Sequence, residues 1–345
     1  MSEPRGYLSL IIILFTTCSS LIAQTSKVIA LRSDMVPVID GILDDEAWRS
    51  AILFSDFRMV EPNPGEDPTE KTELRVIYNN NSIIFGIRCF DSDPEKISAN
   101  TMVHDQSEER NEDQISILLD PFLDKRSGYI FIVNPKGARS EGFASGEHFS
   151  LGWDGLWETR CRTDEEGWSA EIRIPFLTLS FNPKLKSWGF NFERYIARKQ
   201  EVIRYSGLSL NSFFSNAGDA GIMEGIENIK QGLGITFRPY AKVARNDYKT
   251  DDLSPENKLT GGFDIYKNIT PNLTGAITVN TDFAETEVDE RKLNLTRFPL
   301  YYPEKRTFFL EGSDKFEFGS TNSHSFLPFF SRRIGLLEGN QVPLI

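Results

Sequence analysis

The chain has 345 residues, which at roughly 150 residues per domain suggests two or three domains. Its 38 Lys and Arg stand against 50 Asp and Glu, a net charge of −12, which excludes the basic footprint that nucleic-acid binding needs. With 26 Phe and ordinary charge density a packed core is expected, general disorder is excluded, and no apolar run beyond the N-terminus nears the ~20 residues of a membrane helix. The short alternating strands of a membrane β-barrel are not excluded.

Arg5 precedes the apolar block Leu8–Phe15, and small polar residues follow to Ala23-Gln24. A positive start, a short apolar centre and a small-residue end predict a secretory signal over residues 1–24 and an exported chain. The alternative of a lipid on Cys18 is poorly matched by Phe15-Thr-Thr17. Export permits the remaining Cys89 and Cys161 to pair, but both sit in apolar-alternating segments and read first as two small core residues.

The dominant period is two. Leu43–Ala51 is the exception, a short helix with Asp44 as its cap and Trp48 and Ala51 on one side. Ile83, Phe85, Ile87 and Cys89 share one face of the strand Ser82–Phe90. Trp157–Arg162 and Trp168–Ile174 alternate apolar with polar residues around a hairpin loop at 163–167, and Trp188–Phe192 repeats the pattern. Strands with one dry and one wet face predict an all-β chain built on an antiparallel β-sandwich. Residues 206–232, rich in Gly, Asn and Ser, read as a long loop closing the first domain. Gly234–Ala244, Gly262–Lys267 and Leu273–Val279 then read as further strands, the last two joined at Thr270-Pro-Asn272.

Val38-Ile-Asp-Gly-Ile-Leu-Asp-Asp-Glu-Ala-Trp48 resembles the opening of the family 9 carbohydrate-binding modules. In order follow a strand pair ending in acids at Thr72–Asp91, the strand Asn111–Pro121, and the Gly-Trp-x-x-Glu hairpin Gly167–Pro175, each similar to the same family. The remainder, with Val279-Asn-Thr-Asp-Phe283, Asn294–Phe298, Tyr301–Gly312 and Phe329–Gly335, looks like an uncharacterised family of secreted Gram-negative proteins that join such a module to an outer-membrane β-barrel. The resemblance implies a signal at 1–24, a jelly-roll-like sandwich at 25–230 and the start of a barrel region at 231–345. The chain stops at Val342-Pro-Leu-Ile345 without the aromatic last residue of such barrels, so a truncated or incomplete barrel-like segment is expected.

Sugar recognition needs flat aromatic faces and planar polar groups. The aromatic candidates are Trp153, Trp157, Phe213 and Phe214, with Arg110, Asn134 and Glu193 as polar partners. Trp157, like Trp168, also fits a core position, whereas Trp153 beside Gly152 and Asp154 reads as the more exposed. The family's first clamping Trp corresponds to Arg110, its second to Phe213 or Phe214, and a sugar-binding Arg falls near Ile132, so the resemblance implies the fold more strongly than the sugar specificity. The family also uses structural Ca2+, for which Asp91, Asp93, Asp113 and Asp120 are the nearest acids, although Asp113 and Asp120 would face opposite sides of one strand. The residues by themselves read first as a solvated acidic rim. His104, His148 and His324 are far apart, and none stands in a metal-ligand spacing. No nucleophile elbow or phosphate loop is present, and Glu193 is the acid nearest to an apolar setting. The leading expectation is a non-catalytic binder of poly- or oligosaccharide at the periplasm or outer membrane of a Gram-negative bacterium, in carbohydrate catabolism. An O-glycosyl hydrolase or its accessory module is one alternative. A periplasmic docking or plug domain that no longer binds sugar is the other.

Overall fold

The computed structural model describes residues 27–105, 111–145, 148–151, 153–229, 235–246, 256–270, 273–280, 336–337 and 340–341. The expected signal segment, Arg110, His324 and nearly all of the barrel-family motifs beyond Asn280 lie outside these residues. The described elements are β1 (Val28–Arg32), α1 (Glu46–Ser50), β2 (Leu53–Phe54), β3 (Arg58–Glu61), β4 (Thr72–Tyr78), β5 (Ser82–Phe90), β6 (Gln114–Asp120), β7 (Ser127–Val133), β8 (Arg139–Ser145) and β9 (His148–Ser150). They continue with β10 (Glu158–Asp164), β11 (Gly167–Pro175), β12 (Ser187–Ile196), β13 (Glu201–Arg204), β14 (Gly221–Glu224), β15 (Ile235–Asn246), β16 (Glu256–Thr270), β17 (Leu273–Val279), β18 (Leu336–Leu337) and β19 (Asn340–Gln341).

Two antiparallel layers form the sandwich. The first runs β10-β11-β5-β4, with β2 on β4; the second runs β14-β12-β6-β7-β8-β9, with β13 and β3 beyond β12. β1 joins them, because Val28 and Ile29 pair in parallel with β14 while Ala30, Leu31 and Arg32 pair in parallel with β4. The alternation read from the sequence fills the space between the layers. Ile83, Phe85, Ile87 and Cys89 of β5 meet Ile115, Ile117 and Leu119 of β6, with Trp168 and Ile172 of β11 and Phe190 and Phe192 of β12.

The outer face of β11 departs from the expected wet face. Ser169 and Glu171 are buried there, because residues 37–48 strap across it. The Glu171 carboxylate accepts hydrogen bonds from Asp40 N at 2.8 Å, Gly41 N at 2.9 Å and Trp48 Nε1 at 2.8 Å. The two sequence motifs around Asp40-Gly41 and Trp168-Ser-Ala-Glu171 are therefore two halves of one latch. Gly41 has φ +89°, and a Cβ there would meet the Cys161 backbone at 3.0 Å. The helix is shorter than expected. Asp45, not Asp44, stands at its N-cap, and Asp45 makes no cap bond but accepts from Val38 N at 3.0 Å. A five-residue helix is marginal alone, and burial of Trp48 against Ile77 and Ile84 holds this one.

Topology corrects one reading and decides another. The expected loop at 206–232 contains β14, whose pairing with both β1 and β12 closes the second layer. Cys89 and Cys161 are free thiols. Cys161 pairs with Ala170 on one edge of β11 and Cys89 with Trp168 on the other. Two strand spacings and a two-residue offset along β11 separate them, more than about 10 Å, too far for a disulfide. Burial pushes the thiols up, to about 11 for Cys89 and about 12 for Cys161.

Beyond the sandwich, β15, β16 and β17 form a long antiparallel meander with sided chemistry. Phe237 pairs with Ile265 and Ile265 with Ile277, Val243 pairs with Leu259, and Phe263 with Val279. The opposite face carries Arg238, Tyr240, Asp264 and Tyr266. Among the described residues no helix is long and apolar enough to cross a membrane.

Candidate functional site

The face of the second layer that points away from the first is set by residues two apart on neighbouring strands. Gln114, Ser116 and Leu118 of β6 stand beside Tyr195, Glu193 and Asn191 of β12, and Glu193 stands beside Arg204 of β13. On the other side Ser116 pairs with Ile132 of β7, and Ile132 with Ser140 of β8. The segment 205–220 roofs part of this face. Phe214 and Ala217 pack on Leu118, Ile130, Ile132 and Ala144.

The roof is fastened from below. Arg204 Nε donates to Glu193 Oε2 at 2.5 Å, and its Nη1 donates to Ser212 O at 2.8 Å and Gly207 O at 3.2 Å. Asn191 Nδ2 donates to Ser206 O, Ser206 N donates back to Asn191 Oδ1, and Ser212 Oγ donates to Asp219 Oδ2 at 2.7 Å. The Arg204 guanidinium lies 6.0 Å from the Phe214 ring centroid. These anchors hold up Phe213, whose ring is 56% exposed, between exposed Leu210 and Asn211 on one side and the turn closed by Asn216 N to Phe213 O on the other.

The other expected site residues lie elsewhere. Trp153, expected in an exposed loop, is only 3% exposed and packs tilted against Tyr129 at 4.7 Å and edge-on to Phe131 at 6.0 Å. Trp157 is a core residue edge-on to Phe131, with the Arg139 guanidinium 5.6 Å from its ring. These large rings close the core under β7 and β8, where small residues would leave a cavity. Asn134 is buried, and its amide is fully used: Nδ2 donates to Glu112 Oε1 and Thr101 O, and Oδ1 accepts from Ala138 N and Lys136 N. It shapes the β7–β8 turn. Glu193 is not an isolated acid in an apolar pocket but the buried partner of Arg204.

The four acids considered for Ca2+ are not gathered on one ion. Asp120 accepts from Lys125 N at 2.9 Å and Phe122 N at 3.1 Å, tying its own turn. Asp93 pairs with Lys96. Asp91 accepts from Arg198 Nη2 at 2.5 Å, with Arg194 Nη2 at 3.9 Å from its second oxygen. Asp113 accepts from Ser98 N. Asp91 already has guanidinium partners, and the other three acids are tied to Lys96 or to separate backbone N–H groups, so the four do not converge on a shared Ca2+. Burial pushes both Asp113 and Asp120 up, outweighing the backbone hydrogen bonds they accept. Next to Asp91, Glu70 collects Ser92 Oγ, Arg198 and Lys199. Burial raises its carboxyl, but the bonds from Lys199 and Ser92 outweigh that and hold it at about 2.

Two features escaped sequence reasoning. Arg204 is the cation of the outer face, and nothing local marks it, because its partner Glu193 lies across the β12–β13 hairpin. His104, set aside for its lack of a ligand spacing, stands beside Asp105 and Glu141.

Residues 232–342 match the family described as Domain of unknown function (DUF5916). No curated protein matches the chain. Among solved structures the chain is similar to a family 9 carbohydrate-binding module from Caldicellulosiruptor kristjanssonii in complex with cellotriose, at 17% identity and a TM-score of 0.42, over 60% of this chain and 97% of that one. A glucose complex of a family 9 module from the same organism matches at 17% identity and a TM-score of 0.41, over 59% of this chain and 97% of that one.

Proposed function

We propose that this chain is an exported carbohydrate-binding protein. Its sandwich takes a poly- or oligosaccharide on the Phe213 face, and its C-terminal region ties it to the outer membrane of a Gram-negative bacterium, in the service of carbohydrate catabolism. Phe213 is the observation that carries the sugar reading: an exposed aromatic ring on a segment pinned by Arg204, Asn191 and Asp219. The C–H face of a pyranose stacks on such a ring, and a pinned ring loses little entropy on binding. A single candidate ring exposed among the described residues favours a modest affinity for an extended chain. The ordered motifs of the first 230 residues support the same reading. The exposed apolar face of β15–β17 supports the membrane attachment, since barrel strands turn alternate apolar residues to lipid.

Isothermal titration of the full chain with plant, algal and bacterial oligosaccharides tests the sugar reading. At least one class is expected to bind, with Phe213→Ala weakening it by roughly tenfold, the worth of one aromatic contact. Silence across the panel removes the sugar claim. The burial of Trp153 and Trp157 and the roofing of the outer face favour a second reading, a docking or plug domain. Sugar silence together with a defined protein partner, whose binding Phe213→Ala weakens, supports that one.

A further inference from the structure

Away from the Phe213 face, the fold draws His104 and Asp105, which precede β6, against Glu141 in the middle of β8. Glu141 lies opposite Phe131 of β7, on the side of the sheet that faces the core. His104 Nε2 is 3.0 Å from Glu141 Oε2, and His104 Nδ1 is 3.4 Å from Asp105 Oδ2. One ligand atom from each of the three residues lies within 4.8 Å of the others, and among the described residues no other group of His, Cys, Asp or Glu meets that closeness.

The charges here are short of a cation. The Glu141 side chain is 3% exposed, a depth at which a carboxylate is costly unless paired. Among the described residues its only ion-pair partner is His104, which carries charge only when protonated. Asp105 Oδ1 is buried and has no hydrogen-bond partner among the described residues. A neutral imidazole donates one proton and can satisfy only one of the two carboxylates it touches. The remaining donor set is one imidazole nitrogen and two carboxylate oxygens. That mixture suits a borderline divalent cation of the Zn2+ type rather than Ca2+ or Mg2+, which prefer oxygen alone.

We propose that His104, Asp105 and Glu141 hold a divalent transition-metal ion of the Zn2+ class, with water completing the shell. Ligands at about 2.0–2.2 Å from a tetrahedral ion stand roughly 3.3–3.6 Å apart. The 3.0 Å separation of Nε2 and Oε2 is already close to such an edge. His104 is 44% exposed, which leaves it free to adjust toward Asp105 and gives the ion a path from solvent. The bound ion pins the segment that carries His104 and Asp105 to β8. The site is separate from the sugar face, because Glu141 points to the opposite side of its sheet from Ile132 and Ser140.

The test is titration of the EDTA-treated full chain with ZnCl2, with thermal melting alongside and Co2+ as a spectroscopic probe. One equivalent of Zn2+ is expected to bind and raise the melting temperature, and Co2+ to give visible ligand-field bands. His104→Ala, at a half-exposed position, is expected to keep the fold by circular dichroism, weaken Zn2+ by at least about tenfold and abolish the Co2+ bands. Glu141→Gln should do the same where it folds. Absence of Zn2+ binding, or binding undiminished in His104→Ala, overturns the proposal. Binding of Ca2+ or Mg2+ as tight as that of Zn2+ overturns the ion class.

Discussion

At the residue scale, single side chains do the work that the sequence motifs only announce. Glu171 gathers three donors from the strap, so the strap depends on one carboxylate. Glu171→Gln offers one acceptor oxygen and turns an amide against the N–H groups. A loss of about 2 kcal/mol in urea unfolding is expected, since a buried strap N–H left without an acceptor costs about 1–3 kcal/mol. Glu70 governs acid sensitivity in the opposite sense to Glu171. Its folded value of about 2 lies below the ordinary 4.5, so its contribution is full above pH 4.5 and is lost as pH falls toward 2. Burial pushes Glu171 above its ordinary range despite its donors, so protonation on acidification favours the fold at that site. Melting temperatures measured across pH 5 to 2 are expected to fall less steeply in Glu70→Gln than in the parent chain.

At the element scale, β15–β17 is the part whose pattern points beyond the sandwich. Val243 and Leu259, cross-strand neighbours, are 79% and 76% exposed on the same face as Phe237 and Ile277. An apolar face of that extent calls for cover. If lipid covers it, Val243→Asp places a charge in hydrocarbon. Flotation of the full chain with liposomes is then expected to drop several-fold, because a charge on a barrel's lipid face is destabilising. Unchanged flotation points to a protein cover instead. The short helix makes the complementary case: Trp48, more than helix propensity, decides its existence.

At the scale of the whole molecule, β1 makes the two layers one body. Its five residues pair with β14 at one end and β4 at the other, and Val28 and Ala30 enter the shared core. Ala30→Pro removes a ladder donor and fixes φ at the crossing point, so a loss of about 3 kcal/mol or more is expected. Because both layers share that core, tryptophan fluorescence and far-UV circular dichroism should report one coincident transition, shifted together in the variant. Separate transitions would show that the layers hold independently.

Much of this was legible in advance because period-two alternation is a local property. A residue's side of a strand follows from its neighbours two positions away, so the core faces of β5, β6, β11 and β12 could be read without a structure. The free acids, rings and cations could not, because their partners are remote in sequence. Trp153 looked exposed among Gly152 and Asp154, yet Tyr129 and Phe131 cover it. Asn134 looked like a sugar ligand and is saturated by Glu112 and its own turn. Glu193 met Arg204, Cys89 was parted from Cys161 by β11, and His104 acquired two carboxylates, all through strand order. Local pattern was enough for an all-β chain of net charge −12, its strand faces and its latch motifs. Which of the four candidate rings stays open, Phe213, and that His104, Asp105 and Glu141 meet, followed from the folded arrangement alone, because burial and charge pairing depend on which strands become neighbours.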